Sequence, residues 1–422
     1  MQSTRFLWKL LFWLNWAIIA YFWFQGSGSA FLAGGHHRLL ALGRLAGLSA
    51  AYFVLLQFVY TGRILWVERF FGLDRLSRAH QRNGQLAILL ILLHPILILV
   101  AGAQARSSSF LAYALGLFDQ NDDLLSALTA ALLFLIVGLL SLAMIRRRFK
   151  YELWYFIHLL MYLAIFFAYQ HQFEFGSTIN SNQFFYGYWL LLYLVILISF
   201  VIFRFLLPLY RFFQHRFTIA RVEPESDSVT SVYIHLQKAD RFKVEPGQFM
   251  IFRFFQKGFW YQAHPFSLSR PKSDGQIRIS VKKLGDFTAK IPQLQPGTKV
   301  LIEGPYGLFT QRAAIKNKTL LVAGGIGITP IRSLYQSLLE QGQDVILLYG
   351  AQKASDLVLK EEIDTLSGRA FFILSKEQLP GYLHGRIDLE KVKKVAPDYQ
   401  ERDIYICGPV PMINSLSSSL LS

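Results

Sequence analysis

Long apolar runs in the first half of the sequence constrain the fold of this chain more than any other feature. Six stretches each contain close to the roughly 20 residues that a helix needs to cross the apolar core of a bilayer. They lie at about residues 7–24, 44–66, 84–102, 124–145, 152–170 and 186–207. The chain is 53% hydrophobic and only 17% charged, whereas a typical soluble protein is roughly 25% charged. We therefore predict an α-helical transmembrane bundle of six helices over residues 1–210.

Basic residues set the predicted orientation of this bundle. The formal net charge of +16 suggests nucleic acid or anionic lipid as a partner, but Arg and Lys residues cluster beside the apolar runs, at 63–82 and 146–150. Short loops rich in Arg and Lys stay in the cytoplasm. This rule places both termini inside and the loops near 25–43, 103–123 and 171–185 outside. We predict a multi-pass protein of the plasma membrane that contacts lipid and does not bind nucleic acid.

The first apolar stretch has a second interpretation. Arg5 and Lys9, followed by an apolar run and the letters GSGSA, resemble a secretory signal with a small-residue cleavage site. Four tryptophans in the run are more typical of a retained helix with interfacial anchors. They are Trp8, Trp13, Trp16 and Trp23.

The second half of the sequence changes character from about residue 211. Short segments such as FTIARV, SVYIHLQ, QFMIFRF and IRISVKK, separated by turn residues, predict a small antiparallel β-barrel over 211–315. Over 316–422, strands such as TLLVAGG, DVILLYGAQ and DIYICGP alternate with helical segments, which predicts an α/β doubly wound domain with a parallel sheet. The only cysteine, Cys407, excludes an intrachain disulfide.

Four histidines in the apolar half form two pairs. His80 and His94 are 14 residues apart on the third stretch, and His158 and His171 are 13 apart on the fifth. Both helices run in the same direction, so His80 shares the inner level with His158, and His94 shares the outer level with His171. The levels are roughly 20 Å apart at about 1.5 Å of rise per residue. Ionisable residues within membrane spans are costly and usually functional, and two b-type haems, each held by two histidines, fit this pattern. Without the other three histidines, His80 would be interpreted as a hydrogen-bonded residue at the membrane interface.

The fifth helix cannot present both of its histidines regularly. A separation of 13 residues turns an ideal helix about 140° away from a common face. We therefore predict a π-bulge, a kink or a loosened end near His171. The leftover histidines, His36 and His37, are expected in a solvated outer loop.

Five short motifs follow one another in the second half. They are HPFSLS (264–269), VKKLGDFT (281–288), EGPYG (303–307), GGIGITP (324–330) and CGPVPM (407–412). In GGIGITP, glycines between a predicted strand and a predicted helix would let backbone N–H groups approach a pyrophosphate. In this order the motifs resemble the ferredoxin reductase family. With the upstream histidines, nearly the whole chain resembles the ferric reductase and NADPH oxidase superfamily, in which such a reductase is fused to a six-helix dihaem domain, and is most like a prokaryotic NADPH oxidase.

The resemblance implies an FAD site at the first two motifs. Phe266 would lie against the flavin ring and Ser267 near its reactive nitrogen. Pro265 argues against the alternative that this motif is an ordinary barrel strand, because proline has no N–H to donate to a neighbouring strand. The loop 282–288 would cradle the FAD diphosphate through backbone donors. The implied FAD residues are His264, Pro265, Phe266, Ser267, Lys282, Gly285 and Thr288.

The last two motifs would bind NAD(P)H. Cys407 would lie beside the nicotinamide, and Lys353 would lie near a 2′-phosphate, without the arginine that often marks a preference for NADPH. NADPH and NADH therefore both stay open. The chain ends SLSSSLLS without the aromatic residue that commonly covers the flavin, which implies a shortened chain or unusually open access for the nicotinamide. The implied residues are Gly324, Gly325, Gly327, Thr329, Pro330, Lys353, Gly408 and Pro409.

The resemblance also implies a role for Arg44 where electrons would reach the final acceptor. It lies in ALGRLAGL, at the outer end of the second stretch, and matches an arginine that the oxidases place near the outer haem and the oxygen site. Its charge would attract superoxide or a haem propionate. The position is also compatible with an arginine that simply reaches for the membrane surface.

The resemblance predicts an NAD(P)H oxidase. Electrons would pass from NADPH or NADH through FAD and two b-type haems to oxygen on the outer side, forming superoxide, without an obligatory protein activator. A ferric or cupric chelate reductase would use the same relay. Two further functions are compatible with the sequence: a histidine-based membrane proton conductor with a reductase-like sensor domain, and an electron-transfer subunit that serves another protein.

Overall fold

The structure is a computed structural model that describes residues 2–120, 124–142, 148 and 151–421. Three basic residues of the predicted inner loop, Arg146, Arg147 and Lys150, lie outside the described residues. The chain divides into two compact units, Met1–Phe205 and Leu206–Ser422.

The first unit is helical. Its α-helices are α1 (Gln2–Ala33), α2 (Gly35–Thr61), α3 (Leu65–Phe71), α4 (Leu73–Ala105), α5 (Phe110–Gln120), α6 (Leu124–Leu140), α7 (Tyr151–His158), α8 (Leu160–Phe175), α9 (Ser177–Asn180) and α10 (Gln183–Val201). Large apolar side chains such as Ile19, Tyr52 and Trp189 form its main core. The fold confirms a helical N-terminal region.

Four helical stretches within the described residues are long and apolar enough to cross a membrane. They are Gly35–Thr61, Leu73–Ala105, Glu152–Glu174 and Gln183–His215. Leu124–Leu140 is a shorter apolar helix. The count of six crossings therefore stays a prediction.

The predicted outer loop near 25–43 is wrong in its secondary structure. Helix α1 continues to Ala33, and Gly34 alone separates it from α2. Gly34 has a φ of 79°, a left-handed conformation that glycine adopts without steric cost, so one residue makes the turn. His36 and His37 consequently lie in the first turn of α2 rather than in a loop, and part of the predicted loop near 103–123 is helix α5.

The second unit begins with α11 (Leu207–His215) and six antiparallel strands. The strands are β1 (Thr218–Ser226), β2 (Val229–His235), β3 (Phe249–Phe254), β4 (His264–Ser267), β5 (Gln276–Lys282) and β6 (Val300–Tyr306), with the short helix α12 (Asp286–Lys290) after β5. They form two three-stranded sheets, ordered β1-β2-β5 and β4-β3-β6. Isolated bridges Thr218–Lys299 and Leu268–Ile279 connect the sheets at both edges. One apolar core lies between the sheets, with side chains from both.

The predicted difficulty with Pro265 does not arise. The HPFS segment is strand β4, in which Pro265 pairs with Ile251 of β3. Because β4 is an outer strand of its sheet, the missing N–H of proline removes no central ladder bond.

A parallel sheet follows. Its strands are β7 (Lys318–Gly324), β8 (Asp344–Ala351), β9 (Arg369–Leu374), β10 (Leu383–His384) and β11 (Asp403–Cys407), and its helices are α13 (Ile328–Glu340), α14 (Lys360–Asp364), α15 (Leu389–Val395) and α16 (Val410–Leu421). The strand order is β10-β9-β8-β7-β11, and every pair is parallel.

Alternate residues of the central strands enter two different cores. Leu321 packs in a core with Ile331 of α13, while its neighbour Leu320 packs in a core with Val392 of α15 and Leu416 of α16. Successive side chains of a strand point to opposite faces, so helices cover both faces of the sheet. The predicted α/β arrangement with a parallel sheet is confirmed.

Candidate functional site

The four membrane-level histidines meet as two pairs. The ring centroids of His80 and His158 are 6.0 Å apart, and those of His94 and His171 are 6.4 Å apart. Helix α4 carries one member of each pair, and α7 and α8 carry the others. The structure therefore brings together the residues that the sequence paired by level.

The fifth predicted span is interrupted at Leu159, next to His158. Helix α7 ends at His158 and α8 begins at Leu160. The intervening Leu159 N–H is shared between the carbonyls of Tyr155 and Phe156, at 3.1 and 3.2 Å. The interruption is confined to this one residue, and His171 lies within α8 rather than at a loosened helix end.

The spacing of each pair suits one metal ion between two imidazoles. A metal–imidazole nitrogen bond is about 2 Å long, so two opposed rings on one ion have centroids roughly 6 Å apart. Both observed separations agree with this value. Histidine is also an axial ligand of haem iron. The residues present therefore fit two haems, each with two histidine ligands.

Hydrogen bonds at the Nδ1 atoms of His94 and His158 leave the Nε2 atoms of these two residues for a metal. Nδ1 of His94 lies 2.8 Å from the carbonyl oxygen of Gly43; a carbonyl only accepts, so Nδ1 carries the proton. Nδ1 of His158 lies 3.1 Å from Oγ of Ser141. Such outer partners commonly fix the orientation and tautomer of metal-bound histidines.

Two glycines that the sequence interpretation did not single out allow His94 to approach α2. A Cβ atom on Gly47 would lie 2.8 Å from Nδ1 of His94 and 2.9 Å from its Cε1. One turn away, Gly43 accepts the hydrogen bond from the same ring. The sequence signal is G-x-x-x-G within an apolar helix, a pattern typical of close helix packing in membranes.

Arg44 lies at the level of the outer pair. It directly follows Gly43, and its Nη1 donates a 3.4 Å hydrogen bond to Oγ of the fully buried Ser27 in α1. The side chain is therefore directed between α1 and α2 and is only partly exposed. The described contacts attach Arg44 to the helix bundle and include no bond to His94 or His171.

The two motifs that are predicted to bind FAD, HPFSLS and VKKLGDFT, lie side by side in the second unit. The rings of His264 and Phe287 stack with centroids 3.8 Å apart, which joins β4 to α12. Phe266 is partly exposed and packs against Phe252, with centroids 6.1 Å apart, while Ser267 is also partly exposed. These features leave an aromatic face and a hydroxyl accessible, as a flavin ring requires.

Thr288 holds the loop 282–288, which the sequence predicts to bind the FAD diphosphate. Its hydroxyl accepts hydrogen bonds from the N–H groups of Leu284 and Gly285, at 2.9 and 3.0 Å. Thr288 thus shapes the loop, and these two donors are already used inside it. Gly285 is exposed and Lys282, at the end of β5, is half-buried.

A buried ion cluster joins the FAD-binding part to the NAD-binding part, and the sequence analysis did not predict it. Arg278 of β5 is only 1% exposed and donates to both carboxylate oxygens of Glu362 in α14, at 2.9 Å for Nη2. Arg332 of α13 also contacts Glu362, at 2.7 Å. Burial tends to raise the pKa of Glu362, but the hydrogen bonds and charge of Arg278 outweigh it and hold this pKa below its usual value.

We expect Glu362→Gln to destabilise the second unit by about 1–3 kcal/mol, because it leaves buried Arg278 with only the more distant carboxylate of Glu225, 3.9 Å away, as a counter-charge. This loss corresponds to a melting temperature lower by several degrees. The difference from the parent protein should be full at neutral pH and disappear as pH falls through the depressed pKa of Glu362. Scanning fluorimetry of the purified chain across pH measures it. Asp364→Asn, which breaks an exposed pair with Lys360 in the same helix, is the control and should change little.

The two motifs that are predicted to bind NAD(P)H, GGIGITP and CGPVPM, meet at the carboxyl ends of β7 and β11. A Cβ atom on Gly327 would lie 2.4 Å from the carbonyl oxygen of Cys407, and one on Gly408 would lie 3.0 Å from the Cα of Gly324. The two turns therefore touch backbone to backbone. Gly325 has a φ of 53° and turns the chain into α13.

The remaining predicted NAD(P) residues occupy distinct positions. Thr329 and Pro330 are buried, and the Thr329 hydroxyl donates to the carbonyl of Ile326 at 3.1 Å, so they hold the turn. Pro409 is exposed after β11. Lys353 is exposed just after β8, along the edge where ligands of open α/β sheets bind.

Burial raises the pKa of the Cys407 thiol to about 11. We therefore expect slow alkylation by iodoacetamide at neutral pH, with a rate that rises roughly tenfold per pH unit up to pH 10, because the thiolate is the nucleophile. Mass spectrometry of the only cysteine gives the rate. The denatured chain, with a thiol pKa of about 8.5, should level off above pH 9. A plateau near that pH in the folded protein would contradict the prediction.

Three family models match the chain in succession. Residues 46–169 match the ferric reductase like transmembrane component, residues 214–310 an FAD-binding domain, and residues 321–418 an oxidoreductase NAD-binding domain. The chain has the domain architecture of the ferric reductase and NADPH oxidase superfamily. His80, His94 and His158 fall inside the range that matches the ferric reductase like transmembrane component, and His171 lies two residues beyond it.

Several similar curated proteins match about half of the chain. They include an NADPH oxidoreductase of Mycobacterium tuberculosis, 26% identical over 49% of this chain and 56% of that protein, and a flavohemoprotein of Rhizobium meliloti, 31% identical over 49% and 56%. NADH-cytochrome b5 reductase 2 of Neurospora crassa is 28% identical over 46% and 58%. The chain thus spans just over half the length of these relatives.

Several solved structures also resemble about half of the chain. The FAD/NAD-binding domain of a nitric oxide dioxygenase from Vibrio cholerae has a TM-score of 0.44 and 22% identity, and covers 49% of this chain and 93% of that one. A ferredoxin NADP+ reductase from Neisseria gonorrhoeae, solved with FAD and NADP, has a TM-score of 0.42 and 20% identity over 49% and 91%.

Proposed function

We propose that this chain is a transmembrane NAD(P)H oxidase that reduces oxygen to superoxide on the side of the membrane opposite its reductase domains. When bound, FAD would accept a hydride from NAD(P)H, and two b-type haems would carry single electrons across the membrane. The two histidine pairs, with ring centroids 6.0 and 6.4 Å apart, carry this proposal. The FAD-binding and NAD-binding domains on the same chain support it.

The chain's own residues would position these groups. His80 with His158, and His94 with His171, would each hold one haem at its own level of the bundle. Phe266 offers a ring face to the flavin and Ser267 a hydroxyl, while the close turns at Gly327 and Cys407 bring the two nicotinamide motifs together.

Arg44 supports oxygen as the acceptor. A guanidinium near the outer histidine level would attract an anion such as superoxide, and its bond to Ser27 keeps it within the bundle. Lys353 at the edge of the sheet supports NADPH through its charge, and NADH is the competing donor to test.

Anaerobic stopped-flow spectroscopy of the detergent-purified chain with FAD tests the proposal. Addition of NADPH or NADH should reduce haem bands, and admission of oxygen should then reduce a cytochrome c reporter in a reaction that superoxide dismutase abolishes. Purified chain with no bound haem would refute the proposal. Haem that is reduced by NAD(P)H, but then gives electrons rapidly to ferric or cupric chelates and only slowly to oxygen, would replace it with a metal reductase. Turnover by the purified chain alone would also support the proposed independence from an activating protein.

A further inference from the structure

The hydroxyl of Ser141 uses its full hydrogen-bonding capacity. Ser141 follows helix α6, and its Oγ donates to the carbonyl of Val137 at 2.7 Å. The same oxygen lies 3.1 Å from Nδ1 of His158 and accepts from Nε1 of Trp154 at 3.3 Å. A hydroxyl has one proton and two acceptor positions. Since its proton points to Val137, Oγ must accept from Nδ1–H of His158.

This arrangement fixes the tautomer of His158. With the proton on Nδ1, the lone pair is on Nε2, the atom that the pair with His80 would use for a metal. Trp154 further restrains the ring, because the two rings are stacked with centroids 5.1 Å apart and planes 27° apart. The protonation of His158 thus depends on the Ser141 hydroxyl, and its orientation on Ser141 and Trp154 together.

The outer level is held in a different way. There the acceptor for His94 is the backbone carbonyl of Gly43, which no side-chain substitution removes. At the inner level the acceptor for His158 is a hydroxyl that one substitution deletes. The two levels can therefore be perturbed separately.

We propose that Ser141 is a positioning residue that lowers the reduction potential of the inner haem by accepting a hydrogen bond from His158. This inference rests on the proposed function, because it requires a haem at the inner pair. An acceptor at Nδ1–H makes Nε2 a stronger electron donor, which stabilises the oxidised iron, and hydrogen bonding around the axial ligand is a known determinant of haem potential. A lower inner potential favours the transfer of each electron onward to the outer level.

Spectroelectrochemical titration of the purified chain tests this role through the haem absorption bands, without turnover. Ser141→Ala should shift one of the two haem midpoints upward and leave the other unchanged. Ser141→Thr retains a hydroxyl and should keep the midpoints of the parent protein. Ser181→Ala is the matched control: it also removes a hydroxyl that bonds a nearby helix carbonyl, that of Thr178, but it contacts neither pair in the described structure.

The outcomes separate this inference from the proposed function. Identical midpoints in the Ser141→Ala variant and the parent overturn the role of Ser141, as does an equal shift in the Ser141→Thr variant. If Ser141→Ala loses one haem while Ser141→Thr and Ser181→Ala retain both, the positioning role is supported by haem content instead of potential. In this titration, only the absence of haem from the parent protein would refute the proposed function itself.

Discussion

His80→Leu and His158→Leu are expected to abolish the same one of two haems, and His94→Leu and His171→Leu the other. The two rings of each pair are separated by about the distance that one bridging metal ion requires, so each ring would supply one of the two ligands of its haem. Leucine fills the space without a donor atom, so a haem that loses one axial ligand loses its low-spin spectrum and much of its affinity. Haem content should fall by roughly half in every single variant.

The identity of the lost haem is the decisive measurement. Redox titration of the remaining absorption bands should give one midpoint for the two inner variants and a different one for the two outer variants. The double variant His80→Leu/His158→Leu should lose no more haem than either single variant, because residues that act as a unit are not additive. His37→Leu, at an exposed position in α2, is the control and should retain both haems. If the His80 and His94 variants lost the same component, the assignment of pairs by level would be wrong.

The constant rise per residue of an α-helix was sufficient to pair the histidines by level. Constant rise per residue gave their levels, and the angular mismatch of His158 and His171 predicted a distortion in a helix that the structure interrupts at Leu159. The same regularity made the parallel sheet predictable, since strands and helices alternate in the sequence. These features depend on local periodicity, which a single sequence records.

Partners that are distant in the sequence could not be predicted in the same way. Gly43 and His94 are 51 residues apart, Ser141 and His158 are 17 apart, and Arg278 and Glu362 are 84 apart. Their contacts follow from the packing of whole elements, which periodicity does not determine. The predicted outer loop was wrong for a related reason, because buried Ser27 and its neighbours continue α1 when packed against α2.

Gly47→Ala is expected to remove the outer haem and leave the inner one. The new Cβ would lie 2.8 Å from Nδ1 of His94 and 2.9 Å from Cε1, which is closer than such atoms approach. The ring cannot simply rotate away, because the Gly43 carbonyl holds Nδ1. Either the ring leaves its partner His171, or helix α4 moves away from α2. In both cases the outer pair loses the separation that suits a metal.

A second glycine makes this test specific. Gly187 lies inside α10, and a Cβ there would meet nothing within 4 Å. Alanine is the better helix former by about 1 kcal/mol, so Gly187→Ala should keep both haems and be neutral or slightly stabilising. Loss of only the outer component in the Gly47→Ala variant, with both components kept in the Gly187→Ala variant, would show that close approach of α2 and α4 sets the geometry of His94. Two intact haems with the parent midpoints in the Gly47→Ala variant would contradict that view, because they would mean that the His94 ring has room that the structure does not provide.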